Sequence, residues 1–93
     1  MTINIDLVDT AVSMVALKFD ERVKRKISNE LLRKIKRFGD MKEREKILDV
    51  FNEITLEKNR LSLMRNVKNI LSSSNQSTRD IFTDVVFSYY RVQ

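Results

Sequence analysis

The N-terminal stretch of the chain, residues 3–19, has the apolar spacing of a helix that is hydrophobic on two faces. One stripe has the spacing of a core-facing helix and comprises Ile5, Val8, Val12, Val15 and Phe19. A second stripe points in another direction and comprises Leu7, Ala11, Met14 and Leu17. Core packing needs only the first stripe, because a small domain has little interior in which to bury two faces. The second stripe is therefore a candidate surface for another protein.

A second helix is predicted after Asp20, whose side chain is placed to cap it. Its inward positions are Val23, Ile27, Leu31, Ile35 and Phe38. Ser28 and Asn29 could interrupt this helix, since both side chains compete locally for backbone hydrogen bonds. Gly39 is the only glycine of the chain and follows the last inward position directly. We therefore expect a left-handed C-terminal cap at Gly39.

A third helix is predicted from Asp40, which precedes Glu43 by three residues in a capping-box-like arrangement. Its buried positions are Ile47, Val50, Phe51 and Ile54. Beyond them two interpretations are open. Thr55 could cap a new helix, or the third helix could continue along the near-heptad stripe of Leu61, Met64, Val67 and Leu71. The polar residues 57–59 interrupt the stripe and favour a break.

The C-terminal part of the chain predicts a loop followed by a last helix. Residues 72–76 are all serine, asparagine or glutamine and form the clearest loop, and Ser77 with Asp80 is a plausible capping pair. The last helix is apolar on two sides, at Ile81, Phe82, Val85, Val86, Tyr89 and Tyr90. A central position in the bundle is expected for it. The pattern as a whole predicts an all-α fold, a small single-domain bundle of about five helices spanning residues 1–93.

Composition supports a helical protein without metal or thiol chemistry. The 93 residues include one glycine, no proline, no histidine and no cysteine. The absence of cysteine excludes disulfides and thiolate sites and suits a reducing compartment. No apolar run approaches the roughly 20 residues that span a bilayer, and Asp6 and Asp9 stand where a secretory signal would carry basic residues. We therefore expect a soluble cytoplasmic protein with no membrane partner.

Positive charge is concentrated in one segment of the chain. Residues 18–37 contain nine basic and three acidic residues, which leaves the remainder nearly neutral within a net charge of +5. Three interpretations are open: a solvated helix face, a surface for an acidic protein, or a nucleic-acid contact. The residues predicted to contact an acidic protein or a nucleic acid are Arg33, Lys34, Lys36 and Arg37. A helix-turn-helix reader of DNA is disfavoured, because residues 42–46 of the third helix mix acidic with basic side chains.

Catalytic chemistry finds little support in the sequence. Without histidine or cysteine, the usual hydrolytic triads and His-containing metal sites are excluded. Carboxylates one helical turn apart do occur, at Asp80 with Asp84 and at Asp49 with Glu53, but no glycine-rich phosphate loop accompanies them. Acidic pairs of this kind are common on exposed helix faces. We expect a protein that is not an enzyme and that uses no cofactor or metal.

Two parts of the chain resemble the AsiA family, the small anti-sigma factors of tailed phages. The first is Asn4-Ile5-Asp6, then Val8, then an apolar helix that ends in Lys18-Phe19. The second is residues 60–72 with Gln76 and Asp84, which resemble the later helices of that family without a gap. Together these stretches cover about half the chain. Between them, Phe38-Gly39 and residues 51–54 compete to match the same family segment, and either choice implies an insertion of roughly one helix.

The resemblance implies an all-helical, non-enzymatic regulator of RNA polymerase. Such a protein docks its first helix on the C-terminal promoter-reading region of the host's primary sigma factor, and blocks or redirects promoter recognition, in some cases with a co-activator. With Leu7 added from the second stripe, the implied partner-binding positions are Leu7, Thr10, Met14, Leu17 and Lys18. Thr10 departs from the acidic residue typical of the family. The same surface could close a homodimer in the free protein. The alternatives are a basic nucleic-acid-binding regulator and a structural helical oligomer.

Overall fold

Five helices make up the fold in the computed structural model, which describes residues 6–92. They are α1 (Leu7–Ser13, continued by a π-helical turn Met14–Lys18), α2 (Glu21–Lys34, continued by a 3-10 turn Ile35–Arg37), α3 (Met41–Leu56), α4 (Arg60–Ser72) and α5 (Gln76–Val92). Within this described range there is no strand, and the prediction of an all-α bundle of about five helices is confirmed. None of these helices is both long and apolar enough to cross a membrane.

Each helix begins after an aspartate or asparagine whose side chain accepts a hydrogen bond from a backbone N–H in the first turn. These caps are Asp6, Asp20, Asp40, Asn59 and Asn75, with N···O distances of 2.9 to 3.0 Å for the shortest bond of each. The predicted caps at Asp20 and Asp40 are confirmed. The predicted cap at Ser77 is wrong, because Asn75 lies earlier and offers its side-chain oxygen to Thr78 N–H. Asp80 instead accepts from the Gln76 side chain at 2.7 Å.

The predicted capping box at the start of α3 forms only in part. Asp40 caps the helix, but Glu43 does not turn back towards it. The Glu43 carboxylate accepts hydrogen bonds from Asn75 N–H and the Thr78 hydroxyl, at the start of α5. A contact distant in sequence has replaced the local one, because the N–H of the cap residue Asn75 and the hydroxyl of Thr78 lie within reach of the same side chain.

α2 runs without interruption past Ser28 and Asn29, so the predicted interruption is wrong. The buried Ser28 hydroxyl donates to the Lys24 carbonyl oxygen at 2.9 Å, one turn earlier. That bond satisfies the hydroxyl inside the helix, and the residue therefore does not compete for backbone groups elsewhere.

The predicted left-handed cap at Gly39 is also wrong. No described residue has a positive φ, and α2 ends through its 3-10 turn, in which Phe38 N–H donates to the Ile35 carbonyl oxygen at 3.1 Å. Phe38 itself is extended, with φ −82° and ψ 128°. This 3-10 turn supplies a hydrogen-bond donor to the Ile35 carbonyl at the helix end, so no residue there needs the positive φ that favours glycine.

Gly39→Ala is therefore expected to be tolerated, and to raise the free energy of unfolding by about 0.5 kcal/mol. Apart from the residue itself and its two chain neighbours, a Cβ at this position meets no heavy atom within 4 Å. Alanine also restricts the unfolded chain more than glycine does. Urea denaturation of the two proteins measures the difference. A loss of stability on this substitution would contradict the account, since it would require strain at a backbone that alanine can adopt.

The break between α3 and α4 is confirmed. α3 ends at Leu56 and α4 begins at Arg60, with Asn59 as its cap. Thr55 does not cap a helix, because its hydroxyl donates to the Phe51 carbonyl oxygen at 2.8 Å within α3. The loop before α5 is shorter than predicted, since α4 includes Ser72 and α5 already begins at Gln76.

The core lies where α1 meets α4 and α5, and where α2 meets α3 and α5. Nine of the apolar positions predicted for α2, α3 and α5 are buried: Ile27, Leu31, Phe38, Ile47, Val50, Ile54, Phe82, Val85 and Val86. The other predicted positions are less covered: Val23, Ile35, Phe51, Ile81 and Tyr89 are half-buried, and Tyr90 is exposed, as is Leu61 of the stripe considered for α4. α5 packs against both α1 and α2. Of the first stripe, Val12, Val15 and Phe19 are buried and Val8 is half-buried, whereas Ile5 lies outside the described residues.

The second stripe of α1 is only partly free of the core. Ala11 and Met14 are buried, so their assignment to a separate surface needs correction. Leu7 and Leu17 are exposed, as a partner-facing stripe requires. Ala11 and Met14 are buried because α1 contacts two helices, α4 and α5. Two neighbouring helices cover more of the circumference of α1 than one would.

Candidate functional site

A groove of about 480 Å³ lies between the first and last helices. From α1 and its π-helical turn it is lined by Thr10, Met14, Leu17 and Lys18, with Asp9 and Ser13 alongside, and from α5 by Phe87 and Tyr90. Four of the five predicted partner-binding residues therefore lie together around one concave surface. The two α5 aromatics were not among the predicted site residues. Only the packing of α5 beside α1 places them there.

Residues of the groove differ in how much of each side chain a partner can touch. Leu17 is 46% exposed and Tyr90 is also exposed, whereas Met14 is 6% exposed and Phe87 is half-buried. Met14 thus belongs to the core and offers only a small part of its surface to the groove. Leu17 and Tyr90 are the apolar groups whose burial would change most on binding.

Leu7, the fifth predicted residue, lies outside this groove. It lines a neighbouring depression with Thr83, Asp84, Phe87 and Ser88. Phe87 lines both depressions, so the two adjoin each other along α5. We call this the α1/α5 surface and define it by Leu7, Met14, Leu17, Phe87 and Tyr90.

The C-terminal part of the first helix is a π-helical turn. Phe19 N–H donates to the Met14 carbonyl oxygen, five residues earlier, at 3.0 Å. π-helical turns are rare in proteins, and those that exist are frequently found at functional sites. This one includes three residues that line the groove, Met14, Leu17 and Lys18. Apolar periodicity gave no sign of it, because the pattern is compatible with an ordinary α-helix through Phe19.

Charged residues of opposite sign flank the α1/α5 surface. The exposed Lys18 lies at its Leu17 end. Asp84 lies beside Leu7, and Asp9 lies 3.7 Å from the Lys68 ammonium group. Both ends of the surface carry both signs of charge, because Asp9 lines the groove together with Lys18, and Lys68 and Arg79 line a depression that also includes Leu7.

The four basic residues predicted as acidic-partner or nucleic-acid contacts lie away from the groove lining, at the end of α2. Arg33, Lys36 and Arg37 are exposed, whereas Lys34 is half-buried and its ammonium group lies 4.0 Å from a Glu30 carboxylate oxygen. Glu30 also pairs with Arg33. The structure thus separates the two predicted sites, with one on α1 and the other on α2.

Among residues 6–92 no three side chains of the metal-ligating kinds come close enough to hold an ion. Asp49 and Glu53 line a shallow depression with Asn66, whose side-chain amide donates to Glu53. Comparisons of the chain with protein-family models, with curated proteins and with solved structures find no match. Any assignment of function therefore depends on the geometry of the surfaces and on the resemblance in residues 4–19 and 60–84.

Proposed function

We propose that this protein is an anti-sigma regulator that docks its α1/α5 surface on the C-terminal promoter-reading region of a bacterial primary sigma factor. The observation that carries the proposal is the groove in which exposed Leu17 and Tyr90 stand beside Met14 and Phe87. Its α1 residues are the ones that the AsiA-type resemblance implies for docking. Bound there, the protein would occlude the sigma region that engages the upstream promoter element, with no chemical step.

The side chains of the groove suit an apolar helix of a partner. Methionine adapts its shape to a neighbouring surface, and tyrosine is among the residues that contribute most to binding energy at interfaces. Full burial of a leucine side chain stabilises a complex by about 1.5 to 3 kcal/mol, and Leu17 still has much of that surface to bury. Leu17 and Tyr90, which lie in the same groove, would together supply the main apolar contact with the partner.

Lys18 adds an electrostatic contribution to docking. Lys18 lies at the Leu17 end of the surface and would attract an acidic stretch of the sigma region, which raises the association rate more than the final affinity. Thr10 carries no charge, so the ion pair typical of the family at that position is absent from this complex. The affinity would therefore depend more on the apolar anchors.

Leu17→Asp is expected to weaken binding of the purified C-terminal sigma region about 100-fold or more, because it replaces a buried apolar contact by an unpaired carboxylate. Isothermal titration calorimetry measures this loss. Leu48→Asp is the matched control, since Leu48 is 42% exposed on α3, close to the 46% of Leu17, and does not line the groove. The control should bind as the unmodified protein does. Equal affinity of the two variants would contradict the proposal.

A self-interface is the competing outcome. If the unmodified protein forms a dimer that Leu17→Asp dissociates in analytical ultracentrifugation, and it binds no sigma region, the α1/α5 surface is an interface between copies of the chain and the proposal is wrong. A dimer that the sigma region displaces supports it. Met14 is unsuitable for this test, because a charge at a buried position would unfold the protein.

A further inference from the structure

A row of basic side chains with one gap in its middle occupies the solvent face of α2. Six exposed residues form it in two groups of three, and in each group the second and third members lie three and four positions after the first: Arg22, Arg25 and Lys26, then Arg33, Lys36 and Arg37. Positions three or four apart lie on the same face of a helix. The exposed Asn29 fills the gap between the third and fourth members. We call these six residues the basic stripe; at 1.5 Å per residue it is roughly 22 Å long.

Acidic residues flank the basic stripe but do not neutralise it. Glu21 pairs with the buried Lys24 at 3.0 Å, and this hydrogen bond and charge lower the pKa of Glu21. Glu30 pairs with Arg33 and Lys34. Within residues 6–92, the other five members of the stripe take part in no ion pair. These five side chains therefore present positive charges that no carboxylate of the described residues neutralises by direct contact.

We propose that the basic stripe binds the phosphate backbone of double-stranded DNA without reading its sequence. A duplex carries one phosphate charge per about 1.7 Å of its axis, so about 13 phosphates lie along the length of the stripe. Six cations on one rigid helix can release counterions from such a duplex with little loss of backbone freedom. The only amide side chain between the two groups of the stripe is Asn29, which is too little to read a base sequence, whereas the arginines and lysines on both sides of it would contact phosphates.

Proteins, single-stranded nucleic acids and membranes fit the basic stripe less well than a DNA duplex does. Protein interfaces have an apolar core, and the stripe contains no apolar residue. Single strands bind through aromatic side chains that stack on bases, and the stripe has none. A helix that lies on a membrane inserts an apolar face, whereas the apolar face of α2 is buried against α3 and α5.

The test is fluorescence anisotropy of a labelled duplex of about 20 base pairs, titrated with the full chain at several salt concentrations between about 50 and 200 mM. Six phosphate contacts predict a slope of about −5 in a plot of log affinity against log salt, a loss of about 10³-fold over that range. The variant Arg22→Gln, Arg25→Gln, Arg37→Gln removes half of the contacts, and its slope should fall to about −3.

The matched control carries Lys42→Gln, Arg60→Gln and Arg65→Gln, which remove the same charge from exposed positions on α3 and α4. The control should keep the slope and affinity of the unmodified protein. An equal loss in both variants would overturn the proposal, since net charge alone would then explain binding. Absence of duplex binding at the lowest salt would overturn it too.

Competition experiments with poly-glutamate and with single-stranded DNA test whether the basic stripe prefers an acidic protein or a single strand to a duplex. If a poly-glutamate peptide of equal charge displaces the duplex more strongly than unlabelled duplex does, the stripe is a surface for acidic proteins and the proposal is wrong. Tighter binding of single-stranded DNA overturns it in the same way. Leu17→Asp should leave duplex binding unchanged, so this test is independent of the groove and of the proposed docking on a sigma factor.

Discussion

Phe82→Ala is expected to lower the free energy of unfolding by about 4 kcal/mol, the cost of losing a large buried ring and leaving a cavity. Phe82 is the largest of the fully buried side chains and lies on α5, which packs against both α1 and α2. Domains of this size are stable by only about 5 to 15 kcal/mol, so the variant should lose a large share of its stability.

Urea denaturation followed by circular dichroism measures the loss. Tyr90→Ala is the control on the same helix, because Tyr90 is exposed and its truncation should cost less than about 1 kcal/mol. Phe82→Leu should fall between the two. A cost of Phe82→Ala near that of the control would mean that α5 does not carry the core.

Glu43→Ala is expected to lower the free energy of unfolding by about 3 kcal/mol, since it leaves the buried Thr78 hydroxyl and the partly buried Asn75 N–H without their acceptor. The buried Glu43 carboxylate joins α3 to the start of α5. It accepts from the fully buried Thr78 hydroxyl and from Asn75 N–H, the latter at 2.9 Å, and the Lys46 ammonium group lies 3.3 Å away. Without it, the hydroxyl and the N–H both lose their partner.

Glu45→Ala is the control, because Glu45 is exposed on the same helix. Thr78→Val tests the mechanism, since it removes the principal donor while keeping the shape of the side chain. The two substitutions at Glu43 and Thr78 should be non-additive in a double-mutant cycle, with a coupling energy of about 1 kcal/mol or more. Simple additivity would show that the bond between them contributes nothing.

Glu43 also predicts how stability depends on pH. The hydrogen bond from Thr78, followed by that from Asn75, holds the pKa of Glu43 below its ordinary value of 4.5. The folded state therefore favours the ionised carboxylate. Its contribution is complete above the unfolded-state pKa near 4.5 and is lost as the pH falls through the lowered pKa of the folded state.

The stability difference between the unmodified protein and Glu43→Gln should accordingly narrow below pH 4.5. Urea titrations at a series of pH values measure it. The pKa of Glu21 is also lowered, by Lys24, but Glu21 is present in both proteins and cancels in the comparison. A difference that stays constant down to the acid transition would contradict the assigned role of the carboxylate.

Local patterns predicted the helices well because the signals for them lie within one turn. Asp20 and Asp40 cap the helices that follow them, and residues 57–59 separate α3 from α4. The errors at Gly39 and Ser77 have the same local origin: another nearby group had already satisfied the backbone. A 3-10 turn closed the end of α2, and Asn75 capped α5 before Ser77 was reached.

The candidate site was predictable in part. Periodicity separated Leu7 and Leu17 from the core stripe, and both are exposed. It could not predict that Met14 is buried, because the burial of a helix face depends on how many neighbours it has. Phe87 and Tyr90 gave no sequence signal for the groove, since their role depends on where α5 lies relative to α1.

By itself the sequence determined the helical class of this protein, the inward faces of α2, α3 and α5 and the concentration of positive charge between residues 18 and 37, since these follow from spacing and composition. Only the tertiary structure decided which faces were covered and which distant groups met. It placed Glu43 at the start of α5, formed the groove from α1 and α5, and left the basic stripe of α2 in solvent. Those outcomes depend on the packing of helices far apart in sequence, for which a local pattern contains no information.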